Sequence, residues 1–510
     1  MIQRLKSVSG ILLCLLQLAF VGPTTWADVT PYPRVPGDRV NADFPSVKIN
    51  GVKVDTVSTD MNVGYAHFAF SGTVTVEVTT KETIESFDLS PHRYEIQARA
   101  KGRVLSFRLS YACKLHLKIN ALPRFFIFAD APEVTPPQPG QAGVYDIGDY
   151  GVTSSLEAVQ TLDIQHAIDQ VAAKQGVLYV PPGFYRSGAL QMKSHLTLYL
   201  AAGAVIKGTA KVSDYPRAHF GTQLIHLLDC ENVKIMGRGV IDGRGRALRL
   251  ATQNASNGRL KLIRSFRAKN CVVEDVLLRD AGSWSIHLIE SSDLRFTNTK
   301  LMSNTILDDP SFPWEPNTDG FDPDNSSRVT IEDGFVSCSD DAIAVKLRSG
   351  SLRNMDTICF RNNVVWTVKS ALKIGTEVTE RRMTNIVFEN NDVVHADRGI
   401  VVYCYRGARI ENPRWINNHF ERIGDNTKQM NIEIKIQDDG GKGYLSDVLI
   451  KDNTFEHFSP NPSKLYGLGV DHVIEGVVFD NLVIAGKRRT SLDQAEITIN
   501  PFVRNVSFRD

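Results

Sequence analysis

From Asn232 to the C terminus, short runs recur in which apolar residues alternate with polar ones. They include Val233-Lys-Ile235, Leu294-Arg-Phe296, Val329-Thr-Ile331, Ile358-Cys-Phe360, Ile386-Val-Phe388, Val448-Leu-Ile450 and Val506-Ser-Phe508. Period-2 alternation over so few residues is the signature of a half-buried strand. Many of the runs are followed by Asn or Asp, as in Arg361-Asn-Asn363, Glu389-Asn-Asn391 and Lys451-Asp-Asn453. From Ile358 onward the runs are mostly 28 to 33 residues apart, while earlier gaps are less regular. A repeat in that range predicts a solenoid before any other fold, with the longer gaps leaving the rungs as loops that wall a groove. Upstream, Thr161 to Lys174 carries Leu162, Ile164, Ile168 and Val171 at helical spacing, with Thr161 as its expected cap. Strand-like runs follow at Val177–Val180, His195–Leu200 and Ala204–Ile206. One helix ahead of many strands suits the cap that covers the open end of a parallel β-helix.

The pattern before that helix differs. Val47–Ile49, Ala66–Phe70, Val74–Val78, Val104–Phe107 and Leu115–Ile119 are short strand candidates, punctuated by Asn50-Gly51 and Ser71-Gly72. They predict a small β-sandwich-like domain over residues 28–127, its role open between structural support and carbohydrate binding, with no aromatic cluster to favour the latter. A Pro-rich linker is expected over 128–143 and the catalytic solenoid over 144–510. The fold class is therefore all-β: a parallel β-helix behind a small sandwich. Residues 1–27 read as an export signal, with Arg4 and Lys6 ahead of the apolar stretch Ile11–Val21 and a small-x-small site at Thr25-Trp26-Ala27. That apolar stretch is short for a membrane span and no later one is long enough. An exported, monomeric chain is expected, periplasmic or extracellular.

The 510 residues carry a formal net charge of +1 and are 42% hydrophobic, a globular composition without the basic excess of a nucleic-acid binder. Six cysteines lie beyond the signal with no CxxC spacing, so neither a zinc site nor any cofactor is expected.

The candidate chemistry is concentrated in the stretch Asn317–Gly350, where Asp319 is followed 21 and 22 positions later by Asp340 and Asp341. That separation is about one rung, and rungs stack about 4.8 Å apart, so the fold would gather three carboxylates into one patch. Clustered carboxylates split their pKa values, so one keeps a proton near neutral pH while another stays ionised. This is the equipment for acid/base cleavage of a glycosidic bond. Adjacent residues in a flat strand face opposite ways, so Asp340 and Asp341 act together only at a bend or bulge.

The NTDG at Asn317–Gly320, with the Asp pair at that interval, resembles the active-site region of glycoside hydrolase family 28, the polygalacturonase-like enzymes. The stretch from Val177 to Gly208 also looks like the start of the pectinase-type right-handed β-helix. The resemblance implies that Asp340 is the general acid, that Asp319 and Asp341 activate a water, and that cleavage proceeds with inversion, which needs carboxyls about 6.5–9.5 Å apart. It makes Trp284 and His287, in Ser283–Leu288, the border of the substrate cleft, and Asn317 the residue that orients the cluster. Lys346, Ser370, Lys373, Arg398 and Tyr403 complete the substrate-binding candidates, with Trp314 a further ring for stacking. Two departures mark a divergent member. The family histidine falls on Ser370, and the Arg-Ile-Lys that grips a uronate carboxylate falls on Val401-Val402-Tyr403. The expected substrate is therefore a polysaccharide or oligosaccharide other than plain polygalacturonate. Two other functions fit the same solenoid: a polysaccharide lyase with an Arg or Lys base and calcium, and a glycan-binding β-helix without catalysis.

Overall fold

Residues 144–509 wind as a right-handed parallel β-helix whose rungs contribute, in turn, to three long sheets. The computed structural model describes residues 27–509 apart from 35–36, 39–42, 217–220, 304–316, 349–353, 425–428 and 439–441. The apolar N-terminal run and Trp314 lie outside the described residues. Among the described residues the first sheet has 14 strands, the second 12 and the third 11. One rung runs through Ser327–Glu332, Phe335–Cys338 and Ile343–Leu347, and Met355–Arg361 then opens the next. Val329 pairs with Ile358 and Ile358 with Ile386, so each alternating run stacks on its counterpart and sends its apolar side chains into one continuous core. No helix of the described residues is long and apolar enough to cross a membrane.

The capping helix spans Thr161–Ala173 and buries Ile164, Ala167, Ile168, Val171 and Ala172. Two details differ from the sequence reading. Leu162 is 83% exposed, because the buried stripe begins at Ile164. Thr161 is not the cap: Gln160 precedes the first turn without a side-chain cap, and Thr161 Oγ1 accepts a hydrogen bond from the Gly188 amide instead. A second, short helix at Gly245–Ala251 interrupts the strand pattern.

Where first strands of successive rungs turn into the second sheet, Asn363, Asn391, Asn418 and Asn453 form a buried ladder. Asn391 Oδ1 accepts from the Asn363 amide at 3.0 Å and from its side chain at 3.2 Å, while Asn391 Nδ2 donates to Asn418 Oδ1 at 2.9 Å. The same contacts repeat between Asn418 and Asn453. Each amide thus satisfies backbone that the turn would otherwise leave unpaired inside the core.

The N-terminal residues fold as two facing sheets around their own apolar core. The last strand of this sandwich, Phe125–Asp130, ends three residues past the expected boundary at 127 and is buried along its whole length. Phe125, Ile127 and Ala129 face the sandwich core, whereas Phe126 and Phe128 pack on the second sheet of the solenoid against Phe335, Leu277 and Val205. A strand covered on both faces shows no alternation, which is why Phe-Phe-Ile-Phe gave no period-2 signal. Beyond it, Asp130 is buried against Lys300 at 2.5 Å, Arg238 at 2.7 Å and His67 at 2.7 Å. The start of the expected linker is therefore part of a charged junction.

Candidate active site

The outer face of the third sheet gathers the candidate site residues. Its strands Ile286–Ile289, Phe321–Asp324, Ile343–Leu347, Ser370–Val378 and Arg398–Tyr405 lie side by side in register. Phe321, Ile343, Leu372 and Ile400 stack inward, so alternate positions, among them His287, Asp322, Lys373 and Tyr403, face outward.

Phe321 pairs with Ile343, 22 residues later, which places the segment before one strand directly beside the segment before the next. Asp319 sits in the first of these segments. Asp340 and Asp341 sit in the second, at a bend between Phe335–Cys338 and Ile343–Leu347. The bend removes the strand alternation that would have sent the two carboxylates to opposite faces. Gly320 permits the close stacking, since a Cβ there would lie 2.3 Å from the Ala342 carbonyl oxygen. Carboxylate oxygens of Asp319, Asp340 and Asp341 all come within 4.8 Å of one another. These approaches are closer than the separation of about 6.5–9.5 Å usual for inverting pairs, so spacing does not assign the stereochemistry.

The three acids have different surroundings. Burial pushes Asp341 upward, but Lys373 Nζ at 2.5 Å, with Lys346 and the Ser370 amide at 3.0 Å, outweighs it and holds the carboxyl down at about 2. Burial, then the charges of Asp319 and Asp341, drive Asp340 well above the usual carboxylate range. Its Oδ1 accepts from the Asp341 amide at 2.9 Å, and Asn317 Nδ2 donates to Oδ2 at 3.4 Å. Asn317 in turn accepts from Arg259 Nη1 at 3.4 Å. Asp319 is also raised well above its usual value, by burial and then by Asp322. The cluster thus sets a carboxyl held down beside carboxyls pushed up, the divergence general acid–base chemistry uses. Lys373 and Lys346 already supply positive charge inside the cluster.

Lys346 Nζ lies 3.0 Å from Glu377, 3.5 Å from Asp322 and 3.7 Å from Asp319. Its ammonium sits 4.1 Å from the centre of the Trp284 ring, with Arg348 at 5.4 Å and Lys261 at 5.8 Å. His287 stands edge-on to Trp284 at 4.9 Å and pairs with Asp324 through Nε2 at 3.0 Å. Burial lowers the imidazole to about 4, so it is neutral at ordinary pH. On the other side of the cluster, Tyr403 stacks on Tyr405 at 5.6 Å and is ringed by Lys435 at 4.2 Å, Lys373 at 5.1 Å and Arg398 at 6.0 Å. The Tyr403 hydroxyl donates to Glu433.

Asp319, Asp340, Asp341, Asn317, Lys346, Ser370 and Lys373 are gathered at the carboxylates, and Trp284 with His287 flanks them through Lys346. Arg398 and Tyr403 form the opposite flank, Arg398 Nε donating to Ser370 Oγ at 3.3 Å. Ser370 and His287 are buried and engaged with protein partners. Sequence reasoning missed Asp322, Asp324, Arg259, Lys261 and Arg264. Asp322 and Asp324 follow directly on NTDG as FDPD, and the period-2 rule applied there places both on the outer face. Glu377, whose place in the sequence suits either polar lining of the cleft or a salt bridge to Lys373, pairs with Lys346 at 3.0 Å.

The profile of Glycosyl hydrolases family 28 matches residues 171–495. A Vitis vinifera protein named "Probable polygalacturonase" is 29% identical over 226 residues, 40% of this chain and 44% of the relative. The chain spans about half the length of the curated relatives it matches first. Among solved structures, a hyperthermoactive exopolygalacturonase from Thermotoga maritima superposes with a TM-score of 0.58 at 20% identity, covering 73% of this chain and 93% of that one. Dex49A from Penicillium minioluteum superposes with a TM-score of 0.60 at 13% identity, covering 94% and 96%. These superpositions are likenesses of fold.

Proposed function

Since the chain belongs to glycosyl hydrolases family 28, we propose that it hydrolyses a glycosidic bond in a pectin-like polysaccharide or oligosaccharide. The observation that carries this reading is that Asp340 and Asp341, adjacent in sequence, share one cleft in which surroundings push their carboxyls in opposite directions, Asp340 up and Asp341 down. Asp340 donates its proton to the leaving oxygen. Asp341, kept ionised by Lys373, takes a proton from the attacking water, which Asp319 helps to hold. Direct attack of that water inverts the anomeric centre. Arg398, Lys435 and Tyr403 grip the sugar on one side of the scissile bond and Trp284 borders the other. Export to a compartment where such glycans occur is part of the same proposal.

The preferred substrate is not plain polygalacturonate. Ser370 takes the place of the family histidine, and Val401 and Tyr403 take those of the two clamp cations. Lys373 is occupied by Asp341 and Lys435 lies 3.3 Å from Glu433, so the positive charge beside Tyr403 is partly neutralised already. Losing charge-assisted bonds worth about 1.5–3 kcal/mol each weakens hold on a bare carboxylate. A neutral or substituted sugar packing on Tyr403 has no need of them. The test is the purified chain on polygalacturonate beside neutral, branched and substituted pectic glycans, with the product anomer followed by NMR. Inverted, saturated product released faster from a substituted or neutral glycan is expected. Fast cleavage of polygalacturonate alone would overturn the substrate assignment, and an unsaturated product would overturn hydrolysis itself.

A further inference from the structure

The row of residues that holds the carboxylates continues past Trp284 toward the capped end of the solenoid. Ile263 pairs with Ile286, Ile286 with Phe321 and Phe321 with Ile343. Two residues before each of these, the same register aligns Lys261, Trp284, Asp319 and Asp341. Backbone bonds hold the row: the Leu262 amide donates to the Ser285 carbonyl at 2.9 Å, Ser285 to Asp319 at 2.7 Å and Gly320 to Asp341 at 2.9 Å. A glycan lying across the strands at the carboxylates therefore runs over Trp284 and onto Lys261, on the strand Leu260–Phe266. Resting on the hydrolase reading above, we propose that Lys261, with Arg264 and Arg348, forms a subsite for an acidic sugar beyond Trp284.

The balance of charge carries this assignment. Lys261 is half-buried, and among the described residues its ammonium has no hydrogen-bond acceptor and no carboxylate in ion-pair range. It lies 5.8 Å from the centre of the Trp284 ring, and the Arg348 guanidinium lies 5.4 Å from the same ring. The buried Arg264 is close by, since a Cβ on Gly221 would lie 3.3 Å from Arg264 Nη1 and 3.7 Å from Lys261 Nζ. Nearby acids do little to neutralise the three. Asp324 lies 3.9 Å from Arg348 Nη1 but also pairs with His287 at 3.0 Å. Asp322 faces Lys346 at 3.5 Å, and burial pushes its carboxyl up to about 7. Burial, and then the charge of Arg264, push the Lys261 ammonium down to about 8. An oxyanion on the glycan relieves that repulsion and replaces the lost hydration with charge-assisted hydrogen bonds.

The cleft then differs in charge along its length. A neutral ring packs on Tyr403, and an acidic one reaches the cations past Trp284. Lys261 stands two strand spacings from Asp319 and three from Asp341, roughly 10–14 Å. That is farther than one pyranose ring reaches, so the acid belongs to a sugar beyond those flanking the scissile bond. A uronate carboxylate and a sulfate ester share the required chemistry.

Binding is measured by calorimetry on the full chain carrying Asp340→Asn, which keeps the ligand intact. The probes are a pectic oligosaccharide of alternating uronate and neutral sugars, the same compound with its carboxyls reduced to alcohols, and the reduced compound bearing sulfate esters. The uronate probe should bind at least about 10-fold more tightly than the reduced one, the ratio that one charge-assisted bond supplies. Added salt should narrow the gap. Lys261→Met in the same background should erase the preference and leave affinity for the reduced probe unchanged. Should that variant lose its native circular dichroism, Arg348→Gln, at a side chain 46% exposed, makes the same test and should narrow the preference. Affinity restored by the sulfate esters assigns the site to either oxyanion, and affinity not restored assigns it to uronate. Equal binding of the uronate and reduced probes, no binding of the uronate probe, or an equal loss of both in Lys261→Met would each overturn the subsite. Hydrolysis by the parent chain is scored separately: uronate binding that depends on Lys261, without any cleavage, would remove the hydrolase reading and leave the subsite standing.

Discussion

Replacing Lys373 with Met tests the electrostatic core of the mechanism. Met keeps most of the buried stem and removes the charge 2.5 Å from Asp341 Oδ2, where both side chains are 7% exposed. Asp341 is held at about 2 although burial alone would raise it. Without the ammonium, burial, the largest single influence, is opposed by Lys346 and the Ser370 amide alone, and the carboxyl rises toward the ordinary value near 3.9. That is a change of about 2 pKa units, equivalent to roughly 2.6 kcal/mol, of the order expected when one partner of a buried pair is removed. A base works only when ionised, so the acid limb of the pH–kcat/KM profile should move up by about two units. Lys373 also lowers Asp340, so the alkaline limb should move up with it. Stability has its own sign. A depressed carboxyl stabilises the fold above its unfolded value near 3.9 and loses that contribution as pH falls through about 2. The deficit in melting temperature of Lys373→Met should therefore be largest near neutral pH and narrow between about pH 4 and pH 2. A variant with native circular dichroism, an unmoved acid limb and an unmoved melting temperature would refute the claim that Lys373 keeps Asp341 ionised.

Asp340→Asn should lower turnover by about 10²–10⁴-fold on the true substrate, measured by product release, with an unchanged melting curve because the amide oxygen can still accept from the Asp341 amide. Asn391→Ala strips the ladder of bonds to Asn363, Phe360 and Asn418 and should cost about 3 kcal/mol or more in denaturant unfolding. A chain beginning at Val144 uncovers Val205, Leu277 and Phe335 and leaves Lys300 and Arg238 without Asp130. It should aggregate or melt well below the full chain in a thermal scan.

The solenoid was legible because each rung repeats the same inward alternation, and the carboxylates were legible because their separation equals one short rung. What stayed hidden depends on neighbours that only the fold supplies. Phe125–Asp130 reads as a featureless apolar run because a second body covers its outer face. Leu162 fits a helical stripe by spacing, yet the helix is rotated so that Ile164 and Ile168 meet the core. Glu377 lies four residues from Lys373 but pairs with Lys346 on the neighbouring strand, a contact that sequence distance cannot reveal. Asp340 and Asp341 lie together because of a bend, and nothing in Ser-Asp-Asp announces that bend beyond the turn preference of its residues.

The cluster of acids works against the fold that holds it. Asp319, Asp322 and Asp341 are buried and Asp340 half-buried within a few strands of one another, and Lys346 and Lys373 offset only part of their repulsion and desolvation. Such a site keeps its geometry only if the strands beneath it cannot spread. Phe335–Cys338, which leads into the bend at Asp340, is fixed on one side by the core and on the other by the sandwich. Phe335 meets Phe126 at 4.7 Å and Phe128 at 5.1 Å, both edge-on. Cys338 closes that strand with its thiol on the Asp340 carbonyl, which also accepts from Thr367 in the next rung. The sandwich therefore bears on the position of Asp340, the proposed general acid, through one four-residue strand. Weakening the aromatic contact at Phe126 or Phe128 should relax the bend before it unfolds the solenoid, so kcat should fall at temperatures where the far-ultraviolet dichroism is still native.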